Sequence, residues 1–521
     1  MTAPILLPGD LLRSIAKRSP NTTGVIFGDV SLTWLELNQR VNRLANALLG
    51  LGLVKGDKVA VLALNSHRTL ETYLALAKSG LVAVPVNWQS TAPETAFILN
   101  DSASKALIVD SQHQAAATAA LKDAPAVRHV VMLDGEAGAM GYEMLLAGAS
   151  VEEPPVEVLA DDLRALGYTS GTTGFPKGCI STHGQSMAAL INFLVEIPTP
   201  REQATLLTVP FFTGYGNCQI HLALYTCSTI VIQAQFQPAQ VFDAIQRYRI
   251  RHLFVVPTMI ARMVNAPELR DYDLGSLQLM VYGGSVIAPE VLKTAMQSFG
   301  CGFCQVYGMS EAGGFVFLLT PEDHRHAIES GDERRLASCG RISQYAMLRL
   351  VDDDGVDVAQ GEMGELLVAC GSMTTGYWNN PELTAEAIRD GWLYTGDIAY
   401  QDNQGYVFIA DRKKDMIVSG GLNIYPAEVE AAIAKHPAVA QVAVIGVPDA
   451  QWGESVKAVI ELKQGASVTE DEIIDFCRLH LASQKKPKSV DFVAALPVSS
   501  SGKVSKKEIR DPYWQDQQRK V

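Results

Sequence analysis

The residues best equipped for chemistry lie in the stretch YTSGTTGFPKG, residues 168–178. Its eleven positions hold three glycines, three threonines, a serine, a proline and a lysine, and such a composition cannot build a core. Glycine lacks a Cβ, so Gly171 and Gly174 let backbone N–H groups come close to a ligand. Successive N–H groups in such a loop form a nest for an anion. The hydroxyls of Thr169, Ser170, Thr172 and Thr173 add donors, and Lys177 adds a point charge suited to phosphate. The mostly apolar residues 163–168 and the following residues 179–182 both read as extended, so the loop joins two strands. A Walker A loop, G-x-x-x-x-G-K-[ST] running into a helix, fails on spacing: the second glycine comes too early, at Gly174, and Lys177 is followed by Gly178. A plain polar turn needs one or two Gly or Pro, not this density with a lysine.

Four further motifs follow in order: QVYGMSE at 305–311, YTGD at 394–397, DRKKDMIVSGGLNIYPAEVE at 411–430 and SSGKVSK at 500–506. With the glycine-rich loop they resemble the adenylate-forming superfamily, and within it the branch of acyl-CoA synthetases and carboxylic acid–CoA ligases. The resemblance covers the chain from about residue 161 to its end.

The resemblance implies roles for particular residues. Glu311 matches the family's metal-contacting glutamate, which suits Mg²⁺, an ion that takes oxygen ligands and few protein carboxylates. Thr172 and Lys177 would contact the leaving phosphates. Tyr307 offers a π-face for adenine, with Gly308, Met309 and Ser310 beside it. The family usually has Thr where this chain has Ser310, and the hydroxyl is retained. Gly283, Gly284 and Ser285 would let the backbone approach nucleotide and acyl group. Asp397 offers two acceptors to a ribose diol, the logic of acidic residues in dinucleotide folds, and Arg412 would support it. Lys503 would enter the site and neutralise charge as a carboxylate attacks phosphorus. Without the resemblance, Lys503 among Lys485, Lys486, Lys488, Lys506 and Lys507 reads as a solvated basic run. Lys414 matches the hinge, and Gly420 and Gly421 would border the path of the coenzyme A thiol. In PFFTGYG, residues 210–216, many acyl and aryl ligases have His where this chain has Thr213. Amino-acid-activating relatives place an Asp for the α-ammonium in this segment, so Thr213 argues against an α-amino acid. Gly214, Tyr215 and Val306 complete the expected acyl pocket. His183 receives no catalytic role.

Composition sets the outer bounds. A chain of 521 residues implies more than one domain. Apolar content of 48% and charged content of 19% are ordinary for a folded protein and exclude disorder. The net charge of −13 argues against broad nucleic-acid binding. No apolar run reaches membrane-spanning length, and the first residues lack the pattern of a secretory leader. The eight cysteines form no disulfide framework. Cys301 and Cys304 make a C-x-x-C without a second pair, so they read as buried strand residues and not as a zinc site. Reduced thiols and a cytoplasmic location fit.

Positioning these residues requires alternating strands and helices. Apolar spacing predicts a helix over 32–51, then strand 58–64, helix 70–79, strand 81–86, helix 94–99 and strands 106–109 and 129–133. Residues 136–160 read as an exposed connection. After the loop come strand 206–209, helix 218–224, strand 229–232, helix 239–248, strands 252–256 and 277–282, and helix 289–299 with Pro289 at its start. Residues 346–405 change to short strands and Gly/Asp turns, an antiparallel signature. Helix 427–435, strands 439–446 and 456–462, helix 471–481 and strand 489–492 follow. The expected architecture is α/β: a large N-terminal domain of mostly parallel βα layers with a small antiparallel subdomain, then a small mobile α+β C-terminal domain. Residues 1–413 form the AMP-binding domain with the acyl pocket, and residues 414–521 carry the catalytic lysine.

The expected reaction joins a fatty, alicyclic or aryl acid to coenzyme A through acyl-AMP, using ATP and Mg²⁺. The alternative is a free-standing enzyme that loads the acyl group onto the phosphopantetheine of a separate carrier protein. The acid, the oligomeric state (a homodimer included) and the choice of acceptor stay open.

Overall fold

The structure, a computed structural model, describes residues 6–134, 140–169, 176–285, 287–420, 422–497 and 504–515. The chain divides into two compact units, residues 1–348 with 368–393, and residues 349–367 with 394–521.

The first unit contains two large sheets. One has seven strands in the order Met140–Gly141, His129–Met132, Ala106–Val109, Lys58–Leu62, Val82–Pro85, Leu163–Thr169, Lys177–Thr182. Its described pairings are parallel until the last, where Leu163–Thr169 and Lys177–Thr182 run antiparallel. The other has nine strands, parallel through its centre from Thr23–Phe27 to Gly302–Met309 and antiparallel at both margins. Central strands read as continuous apolar runs because crossover helices cover both faces of a parallel sheet.

One core includes Val59, Val61 and Ala165 from the seven-stranded sheet, Phe254 and Val281 from the nine-stranded sheet, and Leu190, Phe193 and Ile220 from the helices His183–Glu196 and Gly214–Tyr225. Both helices start on a threonine cap. Thr182 accepts from the Gln185 N–H while Gln185 returns to the Thr182 N–H, a reciprocal capping box. Thr213 accepts from the Gly216 N–H at 3.0 Å. The second helix therefore begins four residues earlier than its apolar spacing predicts, on glycines that propensity disfavours.

The stretch 136–160 is not merely an exposed connection. It holds the helix Tyr142–Ala147, whose Tyr142 and Leu146 are buried. The Tyr142 hydroxyl donates to Glu71 Oε2 at 2.6 Å. Gly, Ala and Pro around this short helix mask its two buried positions.

The second unit centres on the long antiparallel pair Val439–Asp449 and Gly453–Leu462, with Ser489–Val493 added parallel. The helices Pro426–Ile433 and Glu470–His480 contribute Val429, Ile433, Ile473 and Cys477 to its core. The strands Trp392–Gln401 and Val407–Arg412 pair antiparallel, with Asp397 opposite Arg412.

Candidate active site

The antiparallel pairing of the two loop strands brings Thr169 opposite Lys177. Both therefore stand at the base of the glycine-rich loop. Ser170, Gly171, Thr172, Thr173 and Gly174 lie outside the described residues, as do Gly421 and Lys503. Beyond Lys177, Cys179 is buried, its thiol pushed up to about 12 by desolvation with Glu311 adding to the shift. That thiol is no nucleophile near neutral pH. It donates instead to the Ser310 carbonyl at 3.4 Å.

Glu311 sits in the tight turn Ser310–Ala312 that ends the strand Gly302–Met309. Its carboxylate accepts from the Tyr377 hydroxyl at 2.7 Å, and its backbone carbonyl accepts from the Thr374 N–H at 2.8 Å. The Lys177 ammonium lies 5.5 Å from the centre of the Tyr377 ring, within cation–π range. Tyr377 thus touches both the loop lysine and the glutamate. One edge of the cluster is cationic, the other anionic, and an aromatic ring with a single donor lies between.

The strand Gly302–Met309 also carries Val306, Tyr307, Gly308 and Met309, with Ser310 just past its end. Tyr307 is half-buried, its ring edge-on to Phe317 at 5.7 Å. Gly283 pairs with Val306 across the neighbouring strand, where a Cβ would lie 2.3 Å from the Val306 carbonyl oxygen. At Gly308 a Cβ would lie 2.1 Å from the Gly314 carbonyl oxygen. Sheet packing therefore accounts for these two glycines. Gly284 differs: its φ is +88° with open space where a side chain would stand, and Ser285 beside it is exposed.

Thr213 donates to the Pro210 carbonyl at 2.7 Å while capping its helix, so its hydroxyl already has a structural task. Gly214 is exposed. The Tyr215 hydroxyl donates to the Val281 carbonyl at 3.1 Å and its ring meets Phe254 edge-on at 6.4 Å. A tyrosine fixed at both ends is a rigid wall. His183 is fully buried, with neither ring nitrogen hydrogen-bonded among the described residues. Burial, helped by Arg164, lowers it to about 3, so it is neutral.

In the second unit Asp397 is buried and pairs with Arg412, Oδ1 to Nε at 2.5 Å. Arg412 also reaches the Thr395 carbonyl at 3.4 Å. The two ribose candidates are thus brought together, one holding the other's carboxylate in place. Lys414 is exposed in the turn Lys413–Asp415. Its neighbour Lys413 contacts Asp353 at 2.9 Å and Glu365 at 3.1 Å. Gly420 has φ +60°, and its N–H donates to the Trp452 carbonyl at 2.8 Å.

The AMP-binding enzyme family matches residues 12–378, and the AMP-binding enzyme C-terminal domain matches residues 428–503. The chain belongs to the AMP-binding enzyme family. A feruloyl-CoA synthase of an Amycolatopsis species is 39% identical over 496 residues, 95% of this chain and 96% of the relative. A long-chain-fatty-acid–CoA ligase of Mycobacterium tuberculosis is 35% identical over 509 residues, 97% and 98% of the two chains. The solved structure of an anthranilate CoA ligase in complex with anthranoyl-AMP superposes with a TM-score of 0.88 at 26% identity, covering 98% of each chain. The mixed α/β fold with a small C-terminal domain is that of this family.

Against the family's motifs, the residue that reasoning from sequence missed is Tyr377. It lies in a Gly/Asn/Pro-rich stretch that reads as loop, 66 positions from Glu311, and no spacing connects the two. Lys413 was also missed, because one lysine in a charge run reads as solvated. No helix among the described residues is long and apolar enough to cross a membrane.

Proposed function

We propose that the protein is an ATP-dependent carboxylic acid–CoA ligase acting on a fatty, alicyclic or aryl acid. The observation that carries this reading is the contact of one tyrosine, Tyr377, with both Lys177 and Glu311 at the described edge of the glycine-rich loop.

In the first step a carboxylate oxygen of the acid attacks the α-phosphorus of ATP, forming acyl-AMP and releasing pyrophosphate. Thr169, Ser170, Gly171, Thr172, Thr173, Gly174 and Lys177 hold the leaving phosphates. Tyr307 with Gly283, Gly284 and Ser285 receives adenine and the acyl-phosphate junction. Asp397 and Arg412 hold the ribose, and Lys503 stabilises charge on the α-phosphate. The catalytic gain comes from positioning and fixed charge. In the second step the CoA thiol attacks the acyl carbonyl and AMP leaves, with Gly420 and Gly421 giving the pantetheine close passage. Residues 414–521 turn about Lys414 between the steps.

Glu311 fits Mg²⁺. A single half-buried carboxylate, with no group of three or more ligating side chains among the described residues, suits an ion that keeps waters and substrate phosphates in its shell. When bound, the ion supplies charge neutralisation on the phosphates. The neutral pocket lining of Thr213, Gly214, Tyr215 and Val306 supports an acid without a second charge. A cytoplasmic location is part of the same reading, supported by eight free thiols.

An acid panel tests this proposal. Acid-dependent ATP–pyrophosphate exchange is measured first, then AMP release with CoA or with a phosphopantetheinylated carrier protein as acceptor. Turnover with CoA and a fatty, alicyclic or aryl acid is expected. Exchange followed by transfer only to the carrier would replace CoA as the acceptor, and no exchange with any acid would overturn the proposal.

A further inference from the structure

Arg164 stands near the start of the strand Leu163–Thr169, at the end away from the glycine-rich loop. Among the described residues its guanidinium pairs with no carboxylate. Nη1 donates to Asn217 Oδ1 at 2.9 Å, and Nη2 reaches Ser181 Oγ only at 3.5 Å. Nε is fully covered and has no partner among the described residues. The ionisable groups that bear on the guanidinium are Cys218 and Tyr73. Burial pushes that thiol up to about 11 and that phenol above its usual range, so both are neutral near neutral pH. Desolvation lowers the guanidinium itself only to about 10, so it stays charged.

A covered cation without a counter-ion is costly, and a buried donor left unmade costs its desolvation in full. The space around Arg164 shows where a partner would lie. Tyr215 and Cys218 stand about one turn apart on the helix Gly214–Tyr225 and share a face. Desolvation is the first cause of the shift in Arg164, Tyr215 and Cys218 alike, yet each keeps accessible surface. Groups that lie deep and stay accessible face internal space. Along the helix the order is the exposed Gly214, then Tyr215, then Asn217 and Cys218, where the guanidinium lies. A hydrocarbon end reaching that point would leave Nε unpaired. A second carboxylate would have to shed its own water as well, and the oxygens already turned to the guanidinium, an amide and a hydroxyl, are neutral dipoles.

We propose that Arg164 is a specificity-determining residue: its Nε–Nη2 edge closes the far end of the acyl pocket and selects an acid that carries a neutral oxygen acceptor, a hydroxyl, ether or carbonyl, remote from the reacting carboxylate. This rests on the ligase reading and on the place given to Tyr215 in the acyl pocket.

The test measures kcat/KM for acid-dependent ATP–pyrophosphate exchange with matched acids, in the parent enzyme, Arg164→Met and Arg164→Lys, alongside thermal unfolding. Phenylpropanoic acid is compared with its para-hydroxy and para-methoxy derivatives, and octanoic acid with its ω-hydroxy derivative and with octanedioic acid. A hydrogen bond from a charged donor is worth roughly 10- to 100-fold, so the parent should favour the oxygen-bearing member of at least one pair by about tenfold or more. Arg164→Met should bring that ratio close to one, with KM for ATP little changed. If Arg164→Met does not fold, Arg164→Lys keeps the charge but loses the planar edge and should cut the ratio severalfold. No exchange with any acid would overturn the ligase reading itself. Exchange at equal efficiency across every pair would leave that reading standing and overturn this one, as water alone would then satisfy Nε. A preference that survives in both variants, or a loss shared by all acids in step with a lowered Tm, would overturn the role of Arg164. A preference for octanedioic acid over the ω-hydroxy acid would overturn the choice of a neutral acceptor.

Discussion

The two units hold their candidate site residues by different means. In the first, position comes from backbone and packing. Gly283 and Gly308 sit where only a missing side chain lets strands pair, Thr213 and Thr182 start helices, and Tyr215 is pinned to a backbone carbonyl. Five histidines inside it are held neutral: burial lowers His67, His183, His221, His252 and His324, each to about 3 or 4. In the second unit, position comes from ion pairs: Asp397 with Arg412, Lys413 with Asp353 and Glu365, Glu430 with Lys506, Asp415 with Arg510. A packed site is fixed once the chain folds. A site held by charge pairs can be weakened one pair at a time.

The largest effect that would sharpen this contrast concerns Lys503. Lys503→Ala should lower acid-dependent ATP–pyrophosphate exchange by on the order of 10³-fold, while thioester formation from supplied acyl-adenylate continues. Equal loss in both assays would break the contrast, since the second unit would then act as a static part of one site. Next comes the cluster of the first unit. Glu311→Gln should cost adenylation about 10²-fold and Tyr377→Phe about tenfold, because the phenylalanine keeps a ring over Lys177 but removes the donor to a charged acceptor. Rates measured at saturating ATP over a Mg²⁺ series separate the two: Glu311→Gln should shift the Mg²⁺ requirement more than Tyr377→Phe does.

These residues were unequally legible in the sequence. The parallel layers followed from apolar runs alternating with helical spacing, and the phosphate loop from its density of glycine and hydroxyl residues. Glu311, Asp397 and Arg412 could be named because they stand in motifs. Tyr377 could not, since its partnership with Glu311 exists only once the chain has folded back on itself. Lys506 and Lys413 were hidden differently. A lysine paired inside the protein and one facing water look alike in a charge run, and only the carboxylates that fold against them tell the two apart.

Packing in the first unit is tested by adding one methyl group. Gly283→Ala would drive a Cβ to 2.3 Å from the Val306 carbonyl oxygen, and a strand neighbour can move little. A loss of about 2–3 kcal/mol in unfolding free energy is expected, measured by urea titration. Gly284→Ala meets open space but must hold φ near +88°, which costs about 1 kcal/mol. If Gly284→Ala proved the worse of the two in stability, backbone strain and not strand contact would govern this turn.

Acid tests the suppressed charges. His183 falls from an ordinary 6.5 to about 3 in the folded chain through burial and the nearby Arg164. As pH drops below 6.5 the unfolded chain binds a proton that the folded chain refuses. The stability contribution is therefore complete above 6.5 and is lost as pH falls toward 3, by up to about 1.4 kcal/mol per pH unit for each such histidine. His221 behaves alike. Unfolding measured from pH 7 to pH 4 should steepen accordingly, and His183→Asn, whatever it does to stability at pH 7, should flatten the slope by about one proton.

The smallest effect separates two pairs on one helix. Glu428 and Glu430 both lie on Pro426–Ile433. Lys485 meets Glu428 at 2.7 Å, with side chains 30% and 44% exposed. Lys506 meets Glu430 at 2.9 Å, with side chains 19% and 21% exposed. Distance alone would rank the Lys485 pair as the stronger. Exposure reverses that order, because water screens the outer pair, while the inner one shares its carboxylate oxygen with the Val444 N–H. Lys485→Ala should change unfolding free energy by no more than about 1 kcal/mol. Half-molar salt, with a screening length of about 4 Å, should erase even that difference. Exchange kcat should stay at the parent value. A larger loss of unfolding free energy in Lys485→Ala than in Lys506→Ala would mean that exposure does not rank the two pairs.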